Sequence, residues 1–135
     1  MSMRLMLDTN TISYIVSNRQ PKARMKMLAT DPRELCISAI TQAETIFGVA
    51  NKSPSKSIIS AIDKMFAEIA VLPFNSSAAA TYGELRATME RRGKSLQSLD
   101  MLIAAHALDA GLTLVTSDRA FRFVPGLSIE DWTTE

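Results

Sequence analysis

"RLMLDTNTIS", residues 4–13, poses the question on which the fold turns. Leu5, Met6 and Leu7 read as a short buried strand, yet the run ends on Asp8 with polar residues after it. An acid there can cap a following helix, because aspartate is a preferred N-cap. It can equally stand at the carboxyl edge of a sheet, where open α/β proteins bind their ligands. The rest of the chain decides between the two.

Four further runs read as strands: "LCIS" (35–38), "AVLPF" (70–74), "LTLV" (112–115) and the weaker "LSIE" (127–130). Helical spacing fills the gaps. Ile40, Ala43, Phe47 and Ala50 form one stripe, and Ile58, Ile59, Ile62, Met65, Phe66 and Ile69 a second. Ala78, Tyr82, Leu85 and Met89 form a third, with Glu84, Arg86, Glu90 and Arg91 outward and Gly93 as a stop. Leu96, Leu99, Ile103 and Ala107 mark the inward face of a last long helix that ends at Gly111. Strands alternating with helices indicate an α/β protein, a three-layer α/β/α sandwich around a mostly parallel sheet. No repeat or low-complexity linker divides the chain, so a single domain over 1–135 is expected.

With 135 residues, 47% of them hydrophobic, the chain can bury a real core. Its net charge of +1 lacks the strong basic excess usual in nucleic-acid binders. Any such role must rest on a local site, a dimer surface or a partner that adds charge. No apolar run approaches the roughly 20 residues that span a bilayer, and no signal peptide is visible. The lone Cys36 lies in "ELCISAI" and reads as a buried thiol of a cytoplasmic protein.

The acids break the pattern. Asp8 follows the first strand and Asp118, in "TSD", follows "LTLV", which puts two carboxylates on one sheet edge. Capping explains each singly. Asp100 lies four after Leu96 and three before Ile103, where an apolar residue belongs, and Glu44 falls inside the Ile40–Ala43–Phe47 stripe in the same way. Carboxylates so placed normally pair or bind metal. The basic residues cluster at 19–26 and 86–94 on faces that look solvated, so no arginine or lysine stands out as a partner. Four carboxylates gathered without a cation would raise one another's pKa. Oxygen donors alone, without paired histidines or a cysteine cluster, suit Mg2+ or Mn2+ and not zinc. The implied chemistry is metal-assisted hydrolysis of a phosphodiester.

"LMLDTNTISYI", "ISAITQAETIFGV", "GKSLQSLDMLIAAHAL", "TLVTSDRAF" and "VPGLSIEDW" together resemble a PIN-domain ribonuclease, specifically a VapC-type toxin of a bacterial toxin–antitoxin module. The likeness runs from residue 4 to 132 and rests on the order and spacing of the blocks. It implies an endoribonuclease dependent on Mg2+ or Mn2+ that attacks RNA in line, with tRNA, notably initiator tRNA, as substrate. The family's four acids fall on Asp8, Glu44, Asp100 and Asp118. Asp8 and Asp100 would be the principal metal ligands, with Glu44 and Asp118 holding a second ion or orienting water. Asn10, Thr116 and Ser117 match flanking polar positions that would orient the acids, although Asn10 and Ser117 could simply start helices. The resemblance also implies a VapB-type antitoxin, homodimerisation to which the "SIISAIDKMFAEI" helix could contribute, and operator DNA bound only through the antitoxin.

Arg119 adjoins Asp118 and is a candidate phosphate contact. Arg86, Arg91, Arg92 and Lys94 read as a solvated face, and Met25, Met27, Met65, Met89 and Met101 as core filler. His106, six residues after Asp100, reads as helix packing or surface, and Trp132 as an edge anchor. A haloacid-dehalogenase-type phosphatase would need a second acid where Asn10 stands, and a receiver domain an acidic pair before Asp8. The alternative from another class is a PIN-like module that binds RNA or protein without cutting it.

Overall fold

The computed structural model describes residues 2–134. Its elements run β1 (Leu5–Leu7), α1 (Thr9–Ser17), α2 (Pro21–Leu28), β2 (Leu35–Ser38), α3 (Ala39–Lys52), α4 (Lys56–Glu68), β3 (Ala70–Leu72), α5 (Ser76–Arg91), α6 (Ser98–Ala110), β4 (Thr113–Val115) and β5 (Ile129–Glu130). Short 3-10 turns occupy Pro32–Glu34 and Arg119–Phe123. The five strands lie in the order β3-β2-β1-β4-β5, and every pairing is parallel. All five expected strands are present, β2 with the expected bounds and the other four shorter by a residue or two. The sheet is wholly rather than mostly parallel.

Period-two alternation explains the three layers. Leu5, Leu7, Leu35, Ile37 and Val115 pack on one face with Ile12 and Ile15 of α1, Met65 of α4 and Trp132. Met6, Cys36 and Leu114 point the other way, onto Leu85 and Met89 of α5 and Met101, Ile103 and Ala104 of α6. Both faces are covered, as a parallel sheet requires. The strands therefore read as unbroken apolar runs. Trp132 is the anchor expected of it: its ring is buried, and its indole N–H donates to Glu130 Oε1 at 2.9 Å.

Helix ends follow local chemistry. Pro21 opens α2, where its missing N–H is harmless. Gly111 closes α6 with φ 70°, a left-handed conformation that glycine adopts without strain. Helix α5 stops at Arg91, with Gly93 just beyond at φ 68°.

Three sequence expectations are corrected here. Met25 is exposed rather than core, because α2 buries only Ala23. Phe47 and Leu99, assigned to inward stripes, are 67% and 46% exposed. The stripe on α4 is used in part inside the chain, where Ile62, Met65 and the adjoining Ile69 are buried, while Ile58, Ile59 and Phe66 are only half-buried.

Leu114 is fully buried at the centre of the face covered by α5 and α6. Leu114→Ala should lower unfolding stability by about 2–5 kcal/mol, the range for buried leucine truncations. Urea denaturation of the two proteins checks this.

Candidate active site

Parallel strands place all their carboxyl ends on one edge, and the site grows from that edge. Asp8 follows β1 and is 4% exposed. Its main-chain N–H donates to the Val115 carbonyl at 3.1 Å, which continues the β1–β4 ladder by one residue. Its carboxylate accepts from the Thr11 N–H at 2.8 Å and caps α1. The two readings of Asp8 are thus both true: it is a cap, and it stands at the sheet edge. Thr11 locks the geometry further, its hydroxyl donating to the Val115 carbonyl at 3.1 Å.

Beyond β4, Thr116 is buried and its hydroxyl oxygen accepts from the Asp118 N–H at 3.0 Å. Asp118 in turn caps the following 3-10 turn, its Oδ1 accepting from the Ala120 N–H at 2.9 Å. The third acid arrives on α3. Glu44 is half-buried, and the Thr9 hydroxyl donates to its Oε1 at 2.6 Å. Asp100 stands in the first turn of α6, where the helix dipole favours negative charge.

The electrostatics show that these four side chains share a locale. The Asp100 carboxyl is pushed up to about 6 by burial first, then by the charges of Glu44, Asp118 and Asp8 in that order. Asp8 is also raised, mainly by burial and further by Asp118, while hydrogen bonds from Thr116 and Thr11 pull it back. The ion pairs Arg4–Glu34, Arg33–Asp31 and Arg86–Glu90 lie on other acids. No cationic group contributes to the shift of Asp100.

Among the described residues, no three Asp, Glu, His or Cys side chains close into a group that could hold an ion unaided. Glu44, Asp118 and Asp8 bear on the Asp100 proton without the four carboxylates converging on a point. That spacing and an all-oxygen donor set suit a hard ion such as Mg2+, which keeps several waters and takes one or two carboxylates.

The remaining candidates are placed as follows. Asn10 is exposed and lines a cleft of about 770 Å³ between α1, α3 and α4 that also takes in Glu44, Phe47, Ile58 and Leu99. Ile40, Ala43 and Phe47 line this cleft with Glu44, and Ile40 also packs against the core on the α5–α6 side. Ser117 is half-buried and Arg119 is exposed, each adjoining Asp118. Thr9 and Thr11, which hold Glu44 and Asp8, were not found by sequence reading. For Thr11 the signal was available, since a capping aspartate bonds the N–H two or three positions into its helix.

Residues 5–127 match the PIN domain family. The tRNA(fMet)-specific endonuclease VapC of Salmonella typhimurium is 33% identical over 131 residues, 96% of this chain and 98% of that protein. This chain is a PIN domain of the VapC ribonuclease family. A VapC2 ribonuclease of Haemophilus influenzae is 30% identical over the same share of the two chains, 96% and 98%. The crystal structure of DNA-bound VapBC from Salmonella typhimurium superposes with a TM-score of 0.88 at 33% identity, over 96% of this chain and 98% of that one. VapBC2 from Rickettsia felis, bound to a DNA fragment of its promoter, gives 0.87 at 29% identity, over 96% and 99%. No helix among the described residues is long and apolar enough to cross a membrane.

The raised carboxyl of Asp100 yields a pH prediction for this VapC-family chain without metal. A carboxyl whose folded pKa is about 6, against 3.8 unfolded, destabilises the fold when ionised. The penalty is fully present above the folded value and is relieved as pH falls from 6 toward 4. Asp100→Asn removes it, so metal-free melts should favour the variant at pH 7.5, with a shrinking advantage by pH 4.5. Half-exposure screens the interaction, and the gain at pH 7.5 should be about 1 kcal/mol.

Proposed function

We propose that this chain is a divalent-metal-dependent endoribonuclease toxin that hydrolyses phosphodiester bonds of RNA, with tRNA, initiator tRNA first, as its substrate. One observation carries the metal: burial and three other carboxylates, with no cation among the causes, raise the Asp100 carboxyl, and that arrangement asks for a cation. The relative named for tRNA(fMet) supports the substrate.

In this reading Asp8 and Asp100 hold Mg2+ or Mn2+, with Glu44 and Asp118 as further oxygen donors. The ion, when bound, supplies a water of lowered pKa and stabilises charge on the phosphodiester. The chain's own groups set the geometry. Thr11 and Thr116 fix the Asp8 carboxylate, Thr9 orients Glu44, and the Ala120 N–H holds Asp118. Asn10 and Ser117 flank the acids, and Arg119 contacts a phosphate of the bound strand.

The same reading supplies a partner. A VapB-type antitoxin neutralises the toxin, as the VapBC complexes among its structural relatives suggest. The apolar cleft beside Glu44, bordered by exposed Phe47 and Leu99, suits an amphipathic antitoxin segment whose basic end reaches the acids. With a net charge of +1, the chain meets operator DNA through that partner. A homodimer is the expected toxin state, to which the half-buried Ile58, Ile59 and Phe66 of α4 could contribute.

Brief expression followed by sequencing of RNA ends tests the assignment. New 5′-phosphate and 3′-hydroxyl ends at discrete tRNA positions are expected. In vitro, cleavage should vanish with EDTA and return with Mg2+ or Mn2+. Asp8→Ala should lower the rate by about 100-fold or more, the order lost when a charge acting in the transition state is removed. Equal cleavage by native and variant chains, or none by either with both metals, would turn the assignment toward a non-catalytic binding module.

A further inference from the structure

Ser38 and His106 form a hydrogen bond inside the protein, Oγ to Nδ1 at 2.8 Å. Ser38 is 0% and His106 4% exposed. Ser38 ends β2 and caps α3, its oxygen accepting from the Ile40 N–H at 3.0 Å. With that lone pair engaged, its own proton is free to go to Nδ1. Phe74 meets the imidazole edge-on, with ring centroids 5.3 Å apart. Burial holds the ring's proton affinity below its ordinary value, against the opposing charge of Asp109.

The bond joins the two helices that carry acids. Glu44 lies six residues beyond Ser38 on α3, and Asp100 six residues before His106 on α6. At 1.5 Å per residue, each acid stands ~9 Å along its helix from this bond. A tilt of α3 by ~10° about that base would move Glu44 by ~1.5 Å relative to Asp100. Displacements of ~1 Å in a catalytic constellation can cost ~100-fold in rate. Burying a histidine here is otherwise unfavourable, because its neighbours on α6, Ala104, Ala105 and Ala107, are buried and apolar.

We propose that His106 is a positioning residue for the nuclease reaction: by holding the Ser38 cap, it fixes the pitch of α3 against α6 and hence the placement of Glu44 relative to Asp100. This role rests on the ribonuclease reading above.

Two side chains separate the role from mere filling of space. Asparagine can place an amide atom near the Nδ1 position and keep a hydrogen bond to Ser38 whichever way it is donated. Glutamine reaches toward the Nε2 position and leaves Ser38 without that partner. Steady-state cleavage should show His106→Gln with kcat lowered ~10-fold or more at unchanged KM, and His106→Asn within ~3-fold of native kcat. Amide hydrogen exchange provides a readout independent of turnover: the Ile40 N–H should exchange faster in His106→Gln and at the native rate in His106→Asn. Melting curves establish that each variant is folded at the assay temperature.

Equal kcat for the two variants, or an Ile40 exchange rate that His106→Gln leaves unchanged, would overturn the positioning role. An active native chain with an unimpaired His106→Gln sinks this inference alone. An inactive native chain sinks the ribonuclease reading and the positioning role together.

Discussion

The burial of Asp100 and Asp8 beside further carboxylates, Glu44 and Asp118, is the constraint around which the rest of the structure is arranged. Left to themselves, four carboxylates would spread into water. Here each is tethered by the backbone of a different element. Asp8 extends the β1–β4 ladder, Asp118 caps the turn that follows β4, Asp100 occupies the first turn of α6, and Glu44 is carried on α3. The parallel sheet makes the gathering possible, because all its strands end on one side. Burial first, and then the charges of its three neighbours, make the Asp100 carboxyl hold its proton more tightly than an isolated aspartate does.

The tethers are neutral donors and not cations. Thr9, Thr11, Thr116 and main-chain N–H groups orient the carboxylates without cancelling their charge. An arginine in their place would neutralise the pocket and leave little affinity for an incoming metal. Hydroxyls keep the negative potential and still set the angles, as outer partners of the proposed metal ligands would.

Much of this was legible in the sequence, for identifiable reasons. A sheet covered on both faces needs strands of unbroken apolar residues, so "RLML", "LCIS" and "LTLV" stood out, and Asp8 and Asp118 stood out at their ends. Periodicity found the stripe on α3 but could not say what it faces. Phe47 lines an open cleft, and a cleft-facing stripe looks the same as a core-facing one until a third helix is placed. Helix α2 has a single buried residue, Ala23, and so no stripe to read. The hydroxyl tethers were invisible for another reason. Thr9 bonds a carboxylate 35 residues away and Ser38 a histidine 68 away, and neither spacing has a local signature.

The one thiol has a practical meaning. Cys36 lies in the middle of β2 against Met6 and Leu114, and burial pushes it up to about 12. At neutral pH almost none of it is thiolate, the form that alkylating agents and peroxides attack. Maleimide dyes and oxidants will therefore pass the native fold by. A cysteine engineered at the cleft rim would be the sole reactive handle, ready for a fluorophore or cross-linker without first removing the natural one.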